Sequence, residues 1–355
     1  MSHPDAPPAY TTSPLESNSN YDQPPPQIPP RALPRVGNEP VYFEDAAPRG
    51  WTISINKRKW GDGYTIFVSK DAAEKYKAFK KSSNEHVLDL QRNGIGIPLL
   101  KAETPFNPYT PKYLTFSRNV PNDEGSFDSD KAMSVFCQVR KFSFRGYDTF
   151  IFDFTPDPKT PKVNFQIFMF VHSTIPIYDY KYKGDVHRWV DESNQIKSDS
   201  NSKVKYAFKH SILKQWQPSL VDSWDGYSNG LDEKKHNPYL KSLFAMKLKP
   251  DLKLPKQQYY GDNCTAILEE TDSDSGNGEV KIDDLYSTDP NINYESVLSV
   301  HVDALVLVCV ATVLKRQKEN DEDKRRNNNN TPNTVRNTSV PQTPSVYNGS
   351  NASSF

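Results

Sequence analysis

The chain lacks a surplus of either charge: 44 Lys and Arg stand against 44 Asp and Glu in 355 residues. Without a basic excess there is no electrostatic ground for non-specific attachment to a phosphate backbone, so no nucleic-acid partner is expected. Cysteine is scarce. Cys137, Cys264 and Cys309 are odd in number and far apart, which excludes a disulfide framework and a cysteine-based zinc site and fits a reducing compartment. No secretory signal, mitochondrial presequence, myristoylation glycine or prenylation box is seen, so cytoplasmic residence is expected, with peripheral membrane attachment open. Hydrophobic residues are only 35%, while 29 prolines, roughly 8% against a usual ~5%, point to disordered chain attached to a folded part. Aromatics at 12% are too many for a wholly disordered protein.

Catalytic signatures are missing or fail on their context. Gly226-Tyr227-Ser228-Asn229-Gly230 has the G-x-S-x-G spacing of a nucleophile elbow, but polar Asp222–Asp225 precedes it where a buried strand is required, and Pro238 follows too soon for the helix. Asp272–Asp283 imitates a calcium loop, yet Asn277 stands where glycine is needed and Asp283 where the bidentate glutamate belongs. The histidines show no metal-ligand spacing, and neither H-E-x-x-H nor a P-loop occurs. No catalytic residue, metal ligand or cofactor is expected.

What is present is a folded middle between two polar ends. Residues 1–38 hold ten prolines and only four large aliphatic residues. Such a segment cannot bury enough apolar surface to offset its ordering entropy and reads as disordered, as does the polar, Asn/Ser/Thr-rich 319–355. Within 40–318, Trp51–Ile55 alternates with period two, Gly61-Asp62-Gly63 is a turn, and Tyr64–Val68 follows as a second strand, a hairpin. Further strands are expected at Val87–Leu90, Tyr113–Phe116, Met133–Phe144, Thr149–Phe154, Val163–Val171, Val204–Phe208, Ala245–Leu248 and Ala266–Glu270. Asp71–Lys81 and a stretch near Val186–Ile196 read as helices. Many strands, few helices and polar insertions at about 119–131, 155–162 and 271–281 predict one large antiparallel β domain.

Val297–Leu314 is the most apolar stretch and ends abruptly at Lys315-Arg316. Three readings compete. As a membrane span it carries His301 and Asp303, and its uncharged part, Ala304–Leu314, is ~16 Å long as helix against a ~30 Å hydrocarbon core. As a strand it has the β-branched residues. As a helix apolar on every face it must be surrounded by protein, with Val297, Val300, Ala304, Leu307, Val308, Ala311 and Leu314 against the wall and His301 and Asp303 near the mouth. The helix reading is the one favoured.

A β-rich domain ended by a short, all-round apolar helix and then basic residues resembles the tubby C-terminal-like superfamily, which includes tubby proteins, phospholipid scramblases and plant LURP-related proteins. It is similar in particular to fungal members with a proline-rich N-terminus. The resemblance covers 40–318 and implies a mainly β fold, a closed antiparallel barrel threaded by a buried C-terminal helix.

Interaction motifs lie mostly in the first tail. Pro7-Pro8-Ala9-Tyr10 has the P-P-x-Y pattern of WW-domain ligands: two prolines preset a polyproline II ridge and Tyr10 fills a neighbouring pocket. Likeness to such peptides implies HECT-type ubiquitin ligases as partners. Pro26, Pro29 and Arg31 fit P-x-x-P-x-R, a Src-homology-3 ligand. Lys57-Arg58-Lys59-Trp60 is a basic cluster beside an aromatic, which by analogy with tubby proteins meets anionic lipid headgroups; a solvated turn is the plainer reading. Together these predict a non-catalytic adaptor or ubiquitin-ligase target with a PPxY tail and a barrel at membrane surfaces. A scramblase-like lipid-handling protein and a single-span protein anchored by 297–314 are the alternatives.

Overall fold

The computed structural model describes residues 51–58, 63–80, 82, 84–105, 111–122, 125–127, 133–193, 204–240, 264–271, 276–282 and 295–330. Twelve strands form one closed antiparallel barrel in which each strand pairs with its sequence neighbours and the first pairs with the last. They are β1 (Trp51–Lys57), β2 (Gly63–Phe67), β3 (Leu100–Glu103), β4 (Lys112–Asn119), β5 (Met133–Phe144) and β6 (Tyr147–Phe154), then β7 (Phe165–His172), β8 (Ile177–Tyr182), β9 (Asp185–Asp191), β10 (Val204–Ile212), β11 (Cys264–Thr271) and β12 (Gly278–Ile282). Closure runs from Trp51↔Ile282 to Ile55↔Gly278. A closed sheet has no unpaired edge, which removes the template for pairing with another chain. Gly63 opens β2 because a Cβ there would lie 2.3 Å from the Ala102 carbonyl oxygen of β3.

Alternation decides which side chains face inward. Ile53 and Ile55, Leu114 and Phe116, Phe150, Phe152 and Phe154, Trp189, and Tyr206 and Phe208 belong to one core. They close around α3 (Val302–Asn330), which among the described residues follows the helices α1 (Lys70–Phe79) and α2 (Glu85–Arg92). From Ala304 to Leu314 the helix is buried on every side, which an all-round apolar helix requires. No helix among the described residues is long and apolar enough to cross a membrane.

A second core lies outside the wall. Segment 213–240 covers β6–β9 and packs Leu220, Leu231 and Leu240 on Ile151, Phe170 and Val190. It is fastened by a fully buried ion pair: Arg188 Nε and Nη2 donate to the two Asp179 oxygens at 2.6 and 2.7 Å. Leu220 N and Ser219 Oγ donate to the same carboxylate at 2.9 and 3.0 Å, and Arg188 Nη1 donates to Tyr239 Oη at 3.0 Å.

Several expectations need correction. The apolar helix starts at Val302, not Val297: Val297–Ser299 is a 3-10 turn and Val300 is extended, so these two valines border the core without being helical. The cause is local. Val297 N donates to Gly94 O at 3.0 Å and Ser296 Oγ to Asn93 O at 2.7 Å, tying this stretch to the loop after α2. The helix also runs through the boundary at 318, because its mixed charges find partners: Lys318 pairs with Asp191 at 2.6 Å and Glu322 with Lys205 at 2.9 Å. Val87–Leu90 lies in α2, not in a strand, and Val186–Asp191 is β9, not a helix. The expected insertion at 271–281 contains β12. Ala245–Leu248, residues 1–38 and residues 331–355 lie outside the described residues.

Candidate functional site

The strand directions give the barrel two ends. At one, here the entry end, α3 begins among the close of β8, the start of β9 and the start of β7; at the other, the exit end, it leaves the wall. The entry end holds an open cleft of about 500 Å³ lined by Val163, Phe165, Lys181, Tyr182, His301 and Asp303 among others. Asp303 sits in the first turn of α3, where a carboxylate meets the positive end of the helix dipole. It accepts from Tyr182 Oη at 2.7 Å and Lys183 Nζ at 2.8 Å. Burial pushes the Asp303 pKa up, but these hydrogen bonds and the Lys183 charge outweigh it and hold the carboxyl below its usual range. His301 Nδ1 accepts from Asp303 N at 3.2 Å.

In the wall beside this mouth two imidazoles meet. His187 Nδ1 and His210 Nε2 are 3.2 Å apart, Tyr180 Oη lies 3.2 Å from the same Nε2, and His210 Nδ1 is bonded to Thr265 Oγ1. Burial lowers both pKa values, that of His187 to about 4 although Asp185, the Tyr182 carbonyl and Asp303 pull it upward; His210 falls well below its ordinary value, further depressed by His187. A neutral pair joined by one shared hydrogen is the arrangement this allows.

The exit end is a charged plug. Lys315 is fully buried, ion-paired to Glu270, and donates to Tyr206 Oη at 3.2 Å. Its Nζ is also 2.8 Å from Glu319 Oε1, off the axis of a hydrogen bond and therefore a charge contact. Glu319 accepts from Tyr64 Oη at 2.8 Å and Lys57 Nζ at 3.2 Å. Burial raises the Glu270 pKa, but the Lys315 charge and the bonds from Lys315, Tyr206 and Lys205 bring it below the usual value.

Residues 48–325 match the family model described as DIA1. The chain belongs to the DIA1 family. No curated protein and no solved structure matches the chain. The DIA1 match takes in all twelve strands and α3 as far as Arg325, so the barrel and its enclosed helix are the DIA1 domain.

Within that domain the predicted sites fall unevenly. Lys57 is occupied by Glu319, and Arg58 pairs with Glu103 at 2.8 Å, so the basic cluster is neutralised where it is described; Lys59 and Trp60 lie outside the described residues. Ala304, Leu307, Val308, Ala311 and Leu314 belong to the core inside the barrel. Pro7, Pro8 and Tyr10, and Pro26, Pro29 and Arg31, are outside the described residues and outside the match. Ser228 donates to Gly230 O at 2.8 Å within a loop whose Asp225 accepts from the Tyr227 and Ser228 amides, the arrangement of a turn and not of an elbow. Cys137, Cys264 and Cys309 are free thiols. His301 and Asp303 were legible as mouth residues. The His187–His210 pair and the cleft were not, because their members come from strands that only closure brings together.

Proposed function

We propose that this protein is a non-catalytic adaptor or ubiquitin-ligase target of the cytoplasm, in which the barrel is a rigid platform and the N-terminal tail recruits WW-domain proteins. One observation carries this reading: the barrel is filled by its own helix, Ala304–Leu314 being buried on every side. The usual ligand volume of a β-barrel is taken up, so recognition falls to the outer surface and to the chain before β1. There Pro7-Pro8-Ala9-Tyr10 offers a pre-extended ridge, and the surface lysines of the barrel are acceptors for a ligase that docks on it. Pro26, Pro29 and Arg31 offer a second ridge to Src-homology-3 domains. Kinship with the tubby-like superfamily is part of the proposal, supported by the enclosed C-terminal helix.

The test is capture of the full chain by immobilised WW domains. Wild-type chain is expected to bind and Tyr10→Ala to lose at least about tenfold in affinity, since a pocket-filling aromatic is the typical anchor of such an interface. Binding unchanged by Tyr10→Ala removes the adaptor reading.

A further inference from the structure

We propose that the cleft at the entry end binds a small aromatic monocarboxylate. Such a site is independent of WW binding, and it follows from what the enclosed helix leaves uncovered at the mouth.

Along β7, Phe165 is in phase with the inward Ile167, Met169 and Val171, and along β8 Tyr182 is in phase with Tyr178 and Tyr180. Both therefore face the inside of the barrel. Yet both are only half-buried, since α3 is first fully enclosed at Ala304 and its opening residues fill the mouth incompletely. The rings continue one another: Phe165 stacks on Phe154 with centroids 4.9 Å apart and meets Tyr182 at 5.7 Å. Val163, 46% exposed, and half-buried Val302 extend this apolar surface. The cleft they border measures about 500 Å³, within the ~300–1,000 Å³ usual for small-molecule sites. A row of half-covered rings favours a flat, unsaturated ligand body, which packs offset or edge-on against them.

The polar groups of the lining fix the charge of the ligand. Asp303 supplies the lining's carboxylate, and each of its oxygens already accepts a hydrogen bond, one from Tyr182 Oη at 2.7 Å and one from Lys183 Nζ at 2.8 Å. These bonds hold the Tyr182 ring in place and spend the charge of Lys183, so the cleft offers little to a cationic ligand. His301 is turned to the same residue, its Nδ1 accepting from Asp303 N. Lys181 differs. It borders the same cleft, is exposed, and has no hydrogen-bond or ion-pair partner among the described residues. One unspent ammonium beside an apolar slot matches one carboxylate. A phosphate-rich polyanion calls for several such cations, which the lining does not supply. An exposed ion pair contributes little by itself, so the rings provide most of the affinity and Lys181 provides orientation and the choice of an acid over its neutral analogue.

The experiment is titration of the full chain, followed by ligand-observed nuclear magnetic resonance, with probes that share a naphthalene body: the 2-carboxylate, the neutral 2-methanol and the cationic 2-methylammonium. The carboxylate is expected to bind with a Kd of about 0.1–1 mM, a usual yield for so small a ligand at an open site. The other two are expected to bind about fivefold more weakly. Lys181→Met is expected to lower carboxylate affinity about fivefold and leave the alcohol within about twofold, whereas Val163→Asp weakens both. At about ten times Kd the carboxylate is also expected to raise the melting temperature by about 2–4 °C, because β7, β8 and α3 all border the cleft and an occupant ties the helix to the wall. No binding of the carboxylate by the wild-type chain up to about 10 mM, equal affinity for alcohol and carboxylate, or wild-type affinity in a folded Lys181→Met chain overturns the proposal. So does displacement by inorganic phosphate at constant ionic strength, which makes Lys181 part of a phosphate site. The comparison of the three probes uses the wild-type chain, so it decides the matter even where a variant fails to fold. Tyr10→Ala is expected to leave the titration unchanged, which separates this site from WW recruitment.

Discussion

Lys315 is a fully buried cation at the point where α3 leaves the wall, and its neighbours Glu270 and Glu319 are buried carboxylates. Taking three charges out of water is costly, and the cluster holds only because each sign has its opposite in reach. Its use is registration: sliding α3 along the barrel would leave Lys315 among the apolar side chains of β11 and strand both glutamates. Lys315→Met keeps the length and apolar stem but leaves Glu270 and Glu319 without their central cation. The expected loss is about 3–5 kcal/mol in the free energy of unfolding by denaturant. Adding Glu270→Gln is expected to recover part of it, because the uncompensated carboxylate is then gone. A loss under about 1 kcal/mol would show that water or Lys205 compensates the carboxylates and that registration lies elsewhere.

Among elements, the pair β9 and β10 carries most of the pH sensitivity, beside His172 of β7, whose pKa burial also lowers. Below about pH 6.5 an unfolded imidazole takes up a proton that folded His187 refuses until about pH 4, so the unfolded chain binds more protons in that window. Stability is therefore present above pH 6.5 and falls as pH drops towards 4, by about 3 kcal/mol for His187 alone, with His210 adding in the same direction. Thermal melts at pH 7 and 4.5 check this. His187→Gln with His210→Gln is expected to flatten the difference between the two pH values, and an equally steep variant would assign the acid sensitivity to other groups. The same strands explain what the sequence could show. β5, β6 and β7 were readable because their apolar runs are long and rich in phenylalanine and valine. β9 was not, since Val190 is buried beneath segment 213–240 while Trp189 is buried in the barrel, and burial on both faces erases the two-residue period. β12 was hidden by shortness: Gly278–Ile282 alternates, but beside an Asp/Ser/Gly run it reads as loop. The candidate cleft was the least legible feature, because Phe165, Lys181 and His301 share no local pattern.

For the whole molecule, the order of the chain sets a constraint. The wall is complete at Ile282, when β12 pairs with β1 across some 230 residues, yet the helix that fills it begins only at Val302. A wall closed without α3 would enclose the inner faces of Phe116, Phe152 and Tyr206 around a void. Seven Val and Leu side chains between Ala304 and Leu314 are fully buried in that space. At about 1.5–3 kcal/mol each they contribute on the order of 10–20 kcal/mol, which matches or exceeds the ~5–15 kcal/mol net stability of a typical domain. The barrel and helix must then fold as one cooperative unit, with α3 captured during closure and not inserted afterwards. A chain ending at His301 is expected to show strand-like far-ultraviolet circular dichroism without a sharp thermal transition, and to bind a hydrophobic dye strongly. Supplying 302–330 as a separate peptide is expected to restore a cooperative transition, since the missing piece is filling and not connectivity. If the chain ending at His301 melts cooperatively within a few degrees of the full chain, the strands are self-sufficient, and the enclosed helix has to be understood as a ligand of the barrel.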